Sequence, residues 1–392
     1  VPEAKRPMKA LRGSAAKLSL SLLLFWASYS IYYTITRRAV EEGLGEGSYL
    51  LGVLMSGAEE APLAASIVLG YLADRLGYRL PLALGLFEAG LVAAMAFSPL
   101  ETYPILAGAA SLVYALSYSA LMGLVLGESG GSGFRYSVIA AFGSLGWALG
   151  GLAGGAAYSR LGSLGLLVAA ALMAASYLVA LSASPPRGGA APSVGETITA
   201  LKGVLPLFAS LSTSWAALGF FFGAASIRLS EALESPIAYG LVLTTVPALL
   251  GFLARPAAGR LVDKAGAVAV LALSNAAYSL LAIVFGLSTS PALLALAWSL
   301  PLYPFRDAAA AIAVSSRLER RLQATAAGLL SASESVGGAA TLALALLLDG
   351  GFREMMTVSI ALMLLSTLLL AVDHSTAPRR EPCHRRRQGP AL

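Results

Sequence analysis

The sequence is poorest in the residues that most enzymes use. It has one cysteine, Cys383, and two histidines, His374 and His384, all close to the C-terminal end. A core disulfide, a Cys/His metal centre and covalent haem attachment each need several such residues at set spacing, so all three are excluded. Asn275 is the one asparagine, and glutamine occurs twice. Such thrift suits a heat-adapted source, although GC-rich coding gives a similar bias. No G-x-x-x-x-G-K-[ST] phosphate loop is present, so the chain does not itself hydrolyse ATP. No nucleophile–base constellation stands out, and no enzyme activity or cofactor is expected.

Charge is scarce as well. Only 12% of the 392 residues are charged and 57% are hydrophobic, against roughly 25% charged in a soluble protein. A single water-soluble core stops growing at around 250–300 residues, so the bilayer is the expected solvent. Apolar runs of the roughly 20 residues that a spanning helix needs recur along the chain. Twelve are expected, near 18–36, 50–71, 80–99, 102–126, 136–158, 163–183, 204–226, 237–258, 267–288, 291–314, 323–348 and 355–372. The first is too long and polar-edged for a cleaved signal peptide. The longest polar interruption, 184–202, reads as a flexible linker after six runs.

An internal repeat joins the two sides of that linker. Gly70, Leu72, Asp74 and Gly77 in "GYLADRLGYR" match Gly259, Leu261, Asp263 and Gly266 in "GRLVDKAG" at an offset of 189 residues. Trp26 and Trp215 share the offset, as do Tyr114 and Tyr303. The chain therefore reads as all-α, with twelve transmembrane helices in two parallel six-helix repeats, because an even number of spans returns each half to the same side. The halves are 1–183 and 203–374, with 184–202 between them and a basic tail at 375–392.

Lysine and arginine set the orientation. Of 27 cations, 21 fall on the side of the two tails and the linker, 5 fall on the other side, and Arg306 lies within a run. Both termini are expected in the cytoplasm of a multi-pass plasma-membrane protein. The net charge of +6 then reflects topology and contact with anionic lipid, and no nucleic-acid partner is called for.

The repeated phrase suits a tight cytoplasmic loop. Gly70 and Gly259 permit close helix approach, and Gly77 and Gly266 supply turns. Each aspartate can face a helix N-terminus or a neighbouring guanidinium. Arg75, Arg79, Arg255, Arg260 and Lys264 complete the charged set. The plain alternative is a positive-inside loop with a turn.

"GYLADRLGYR" resembles the loop motif G-x-L-a-D-R-x-G-R-R of the major facilitator superfamily, with Tyr78 in place of one basic residue, and "RPAAGRLVDKAG" resembles its second-half counterpart. The resemblance spans the whole chain. It implies a monomeric secondary transporter in which runs 1, 4, 7 and 10 line a central cavity and the halves rock, with the loop bracing the outward-facing state against run 11. "FGSLGWALGG" (142–151) is similar to the run-five signature of sugar and nucleoside proton symporters, which implies that Trp147 stacks on substrate. Ala140 stands where those symporters carry a substrate-binding arginine. Gly146, Gly150 and Gly151 also match a drug-antiporter motif whose proline is Trp147 here. Glycines that only let run five pack closely are the competing reading.

Charges inside the runs are costly and mark candidate proton sites. They are Glu59 and Glu60 in run two, Arg306 and Asp307 in run ten, and Glu334 in run eleven, with a structural role for Glu88 in run three. At 100° per residue, Glu59 comes within about 20° of the Gly70 stripe and Glu60 lies about 80° away. Glu59 is therefore expected to face the other half and to lead as coupling site, with Asp307 second. Arg306 is expected to meet Glu334 or Glu59. Buried structural ion pairs are the alternative. Trp26, Tyr29, Ser30 and Tyr33 form one helical stripe, with Trp215 and Phe222 as its counterpart, and Tyr303 stands in run ten. Such a face suits an amphipathic organic solute, or an interfacial aromatic belt. The expected function is proton-driven symport of a small organic solute, with proton-driven efflux second. A transport-inactive membrane sensor is the alternative of another class.

Overall fold

Apolar runs bounded by proline at their starts and glycine at their ends fold as helices. The computed structural model describes residues 8–44, 54–55, 57–183, 191–233, 236–348 and 351–376. The tail arginines, Arg187, Cys383 and His384 lie outside them. Among the described residues the regular structure is entirely helical.

Among the described residues the helices of nine residues or more are α1 (Met8–Leu44), α2 (Ser66–Leu76), α3 (Arg79–Met95), α4 (Tyr103–Ser129), α5 (Gly133–Leu161), α6 (Leu166–Ala183), α7 (Val194–Lys202), α8 (Leu205–Ala232), α9 (Val246–Ala265), α10 (Ala267–Leu287), α11 (Pro291–Ser299), α12 (Tyr303–Ser315), α13 (Gln323–Ala345) and α14 (Phe352–Thr376). A 3-10 segment, Ala61–Ala65, leads into α2. A π-helical turn, Leu241–Thr245, leads into α9. Among the described residues seven stretches are long and apolar enough to cross a membrane, and one of them, Gly133–Ala183, holds both α5 and α6.

Packing follows the sequence repeat. In the first half α1 packs on α5 and α6, and in the second α8 packs on α13 and α14. Ser21 and Ser176 exchange hydroxyl-to-carbonyl hydrogen bonds at 3.1 and 2.8 Å. Ser210 and Ser366 do the same at 2.9 Å in both directions. Gly77 and Gly266 end α2 and α9 with φ of 85° and 86°, a conformation that a side chain would strain.

Two seams join the halves, α2 against α13 and α5 against α9. Small residues let backbones touch there, because lipid supplies no hydrophobic drive between helices. A Cβ on Gly70 would overlap the Ala324 carbonyl, and one on Gly259 would overlap the Gly133 carbonyl.

Two expectations need correction. The segment 184–202 is not flexible throughout, since Val194–Lys202 is a helix. Ser193 accepts a bond from the Glu196 N–H at 3.2 Å and donates its own N–H to the Glu196 carboxylate at 3.0 Å, which is a capping box. Run ten is also not one helix. Pro301 lacks the N–H that would continue α11, and the chain restarts as α12 at Tyr303.

Candidate functional site

At the linker end of the bundle, each repeated aspartate caps a helix of the other half. Asp74 accepts from the backbone N–H groups of Ala324 and Thr325 at 3.0 and 2.7 Å, from the Thr325 hydroxyl at 2.7 Å, and from the Tyr78 hydroxyl at 3.0 Å. Those amides open α13. Asp263 accepts from the N–H groups of Gly133 and Phe134 at 2.6 and 3.0 Å and from the Ser132 hydroxyl at 3.1 Å. Those amides open α5. The first N–H groups of a helix have no partner within it and carry the positive end of its dipole, so a carboxylate is the complementary group.

The other motif cations do not make these bonds. Arg260 lies over the Phe134 ring at 5.0 Å. Arg75, Arg79 and Lys264 are exposed. The linker helix joins the same end through Arg321, which bonds Glu196 at 3.1 Å and Glu319 at 2.7 Å. Hydrogen bonds from Ser193, with Arg321 beside them, lower the Glu196 carboxyl to about 2.

Between the halves lies a cavity of 850 Å³. It reaches toward the far end, where Tyr33 and Phe222 on its wall are exposed. All four tryptophans of the chain, Trp26, Trp147, Trp215 and Trp298, line it, with Tyr118, Tyr136 and Tyr303. Trp147 sits 5.8 Å from Trp26 and 6.3 Å from Tyr33 between ring centres. Four charged residues line it, Arg255, Arg306, Asp307 and Glu334, and all belong to the second half.

Arg255 is the largest departure from the sequence reading, which placed it in the loop motif. It is buried in the cavity wall, one turn inward from Gly259 on the same face of α9. Its guanidinium donates to Asp307 at 3.2 Å and to the Ser144 hydroxyl at 2.8 Å. Its spacing of four residues from Gly259 was the available signal for this. Arg306 meets neither Glu334 nor Glu59 in a hydrogen bond. It donates to the Ser214 hydroxyl at 3.2 Å and stacks over Trp215 at 4.1 Å. Ser214 in turn donates to Asn275 at 3.1 Å. Glu334 faces the cavity and accepts no hydrogen bond from a described residue.

Glu59 and Glu60 exchange the faces expected of them. Glu59 turns back to its own half, accepting from Arg37 at 2.7 Å and from the Tyr32 hydroxyl at 2.8 Å. Glu60 turns to the other half, where its carboxylate lies against Gly338 and its carbonyl accepts from Ser335 at 3.0 Å. The 3-10 segment Ala61–Ala65 explains the exchange. Five residues at 120° each, in place of 100°, add about 100° of rotation between the glutamates and Gly70. Glu60 then comes within about 20° of Gly70, and Glu59 is displaced by about 120°. Glu88 is buried and accepts from the hydroxyls of Tyr177 and Ser117 at 2.6 and 3.0 Å.

Tyr29 and Ser30 also leave the expected stripe. Tyr29 packs among Phe25, Tyr32 and Tyr114, and Ser30 is buried against Gly150 on α5. Neither lines the cavity. At 100° per residue Tyr33 returns to within about 20° of Trp26, whereas Tyr29 and Ser30 fall about 60° and 40° to either side of it. Trp298 was not anticipated. It sits at the end of α11, and its indole N–H donates to the Leu243 carbonyl at 3.1 Å. That carbonyl belongs to the π-helical turn, a geometry that often marks functional sites.

No protein-family model matches the sequence, and a search of curated proteins finds no match. Solved structures do match. The human organic anion transporter MFSD10 (TETRAN) aligns with a TM-score of 0.69 at 18% identity, over 92% of this chain and 99% of that one. The major facilitator superfamily transporter FucP in its outward conformation aligns at 0.68 and 15%, over 91% and 97%. A bacterial homologue of the iron transporter ferroportin in an outward-facing state aligns at 0.70 and 12%, over 92% and 99%. This chain has the major facilitator fold.

Proposed function

We propose that this protein is a secondary transporter that carries a small organic solute through the cavity by alternating access. Its twelve spans form two six-helix repeats, and the linker end with both termini faces the cytoplasm of a plasma membrane. The observation that carries the reading is the pair of crossed caps. Asp74 and Asp263 hold opposite halves together at one end only, while the cavity between the halves runs toward the other end. Two interfaces of small residues, closed by a few charge-assisted bonds, form an element with two stable arrangements, as rocking requires. Two of the similar structures are named as outward conformations, which agrees with closure at the cytoplasmic end here.

Proton-coupled symport is the finer reading. Glu334 supports it better than Glu59 does, because Glu334 faces the cavity without a hydrogen-bonding partner among the described residues, whereas Glu59 is held by Arg37 and Tyr32. A carboxylate in the solute's own compartment changes hydration with each cycle, as a coupling site must.

Directional labelling tests the transport reading. In a Cys383→Ser background, Ser331→Cys places one thiol on the cavity wall. A membrane-impermeant maleimide is expected to reach it from outside intact cells, and adding Asp74→Asn is expected to slow that labelling by freeing the cytoplasmic end. Equal labelling from both sides at once, unchanged by Asp74→Asn, would indicate a static pore and refute alternating access.

A further inference from the structure

Arg306 and Arg255 are 2% and 8% exposed, yet each has one guanidinium nitrogen, Nη2 and Nη1 respectively, with no hydrogen-bond acceptor among the described residues. A buried donor without an acceptor is costly, and more so when charged. Both side chains belong to the cavity wall. Both are aimed rather than loose. Ser214 and the Trp215 ring fix Arg306. Ser144, Asp307 and the Tyr303 ring fix Arg255. The wall thus holds two fixed guanidinium groups, each with one buried nitrogen that lacks an acceptor.

The rest of the wall restricts what can bring one. Four tryptophans with Tyr33 and Phe222 offer flat apolar faces. Among the described residues no asparagine, glutamine or histidine lines the cavity, so a sugar would find few of the paired donors and acceptors that its hydroxyls need. Charge bears on the ligand too. Asp307 balances Arg255 at 3.2 Å, which leaves Arg306 and Glu334 as the second pair. When Glu334 carries a proton, the cavity holds one uncompensated positive charge. The α12 helix also starts in this wall, and the positive end of its dipole adds to that charge.

We infer that the cavity binds a monoanionic organic acid, whose carboxylate meets Arg306 and Arg255 and whose flat aromatic or apolar body lies among the tryptophans. The inference deepens the transport reading and rests on the cavity being a solute site. A guanidinium is suited to a carboxylate because its planar fork matches two oxygens. With Glu334 protonated, an amine would add a second uncompensated positive charge to the cavity and is rejected. A dianion would bring one negative charge beyond what the protonated site balances.

The test uses the purified full chain and four probes that share one ring system: 2-naphthylacetate, 2-naphthylacetamide, 2-(2-naphthyl)ethylamine and 2-naphthyl phosphate. Thermal stabilisation and equilibrium dialysis read binding, since a ligand of the folded state raises its stability. The carboxylate is expected to bind about tenfold or more tightly than the amide, as a charge-assisted bond requires, and the amine is expected not to bind. Arg306→Gln should remove the acid-over-amide preference, and Arg306→Lys should restore part of it. Equal binding of acid and amide, or preference for the amine or the phosphate, overturns the inference. The acid–amide comparison on the unaltered protein decides even if Arg306→Gln fails to fold. Binding of the acid without movement across proteoliposomes would keep this inference and remove the transport reading. Transport of a neutral solute by a protein that ignores the acid would do the reverse.

Discussion

Asp74 and Thr325 are 251 residues apart in sequence, and the Asp74 carboxylate accepts both the backbone N–H and the hydroxyl of Thr325 at 2.7 Å. The same relationship recurs 189 residues later between Asp263 and the start of α5. Each carboxylate stands at the positive end of a helix from the opposite half, so charge adds to the close packing of the seams at the linker end. Asparagine keeps the shape and removes the charge. The loss is about 1–2 kcal/mol for a partly buried helix cap. Asp74→Asn and Asp263→Asn are therefore expected to shift the conformational equilibrium by similar amounts, roughly five- to thirtyfold. The rate of external labelling at Ser331→Cys reads the shift. A large effect at one site and none at the other would show that only one cap matters.

The seams predict a second set of variants. Gly70→Ala and Gly259→Ala each drive a methyl group into a backbone carbonyl of the facing helix. Overpacking of this kind costs about 1–3 kcal/mol. The closed linker end bears that cost and the opened one is relieved of it, so both variants are expected to protect the cavity thiol from external reagent. Normal labelling in both would mean that the seams do not separate during the cycle.

Glu334→Gln and Glu59→Gln should differ in kind. Glu334→Gln is expected to abolish accumulation driven by a proton gradient while leaving counterflow exchange in proteoliposomes. Glu59→Gln weakens bonds to Arg37 and Tyr32 and is expected to lower stability by about 2 kcal/mol, as for a hydrogen bond to a charged group, with coupling preserved. Thermal unfolding reads that cost. Loss of coupling in Glu59→Gln alone would return the proton site to run two.

The linker helix makes a prediction about pH. The Glu196 carboxyl is lowered to about 2, so the folded state favours its ionised form. The contribution of this group is present above its ordinary value of 4.5 and is lost as pH falls through about 2. Cleavage by trypsin after Lys202 should therefore not change between pH 6 and pH 8 beyond the protease's own profile. It should speed up in Glu196→Gln, which also loses the Arg321 bond. Salt should have a modest effect of the same sign, because the pair is exposed.

The serine clasps offer a check on the repeat. Ser21→Ala and Ser210→Ala each remove one hydroxyl from a buried pair of near-identical geometry. Within a bilayer such bonds average about 0.6 kcal/mol and reach about 1.7. The two variants are expected to lower the unfolding midpoint by the same small amount. Unequal losses would show that the two halves use their clasps differently.

The sequence alone determined the helical class, because apolar runs of spanning length admit no other backbone solution in a bilayer. It also carries matching phrases at one offset, Gly70 to Gly77 against Gly259 to Gly266. The aspartate–glycine phrase identified the charged ends of α2 and α9, since glycine and aspartate at that spacing have few other uses. Tertiary structure decided which helix each aspartate meets, because Asp74 and Thr325 are joined only by packing. It decided the faces of Glu59 and Glu60, because a five-residue 3-10 segment has no strong sequence signal and rotates everything before it. It moved Arg255 from the loop into the cavity, since one turn of α9 separates the two and periodicity does not say where a helix leaves the membrane. It also gathered four tryptophans from α1, α5, α8 and α11 around one space. Each of them is a local apolar residue in sequence, and only the approach of the two halves makes them a single wall.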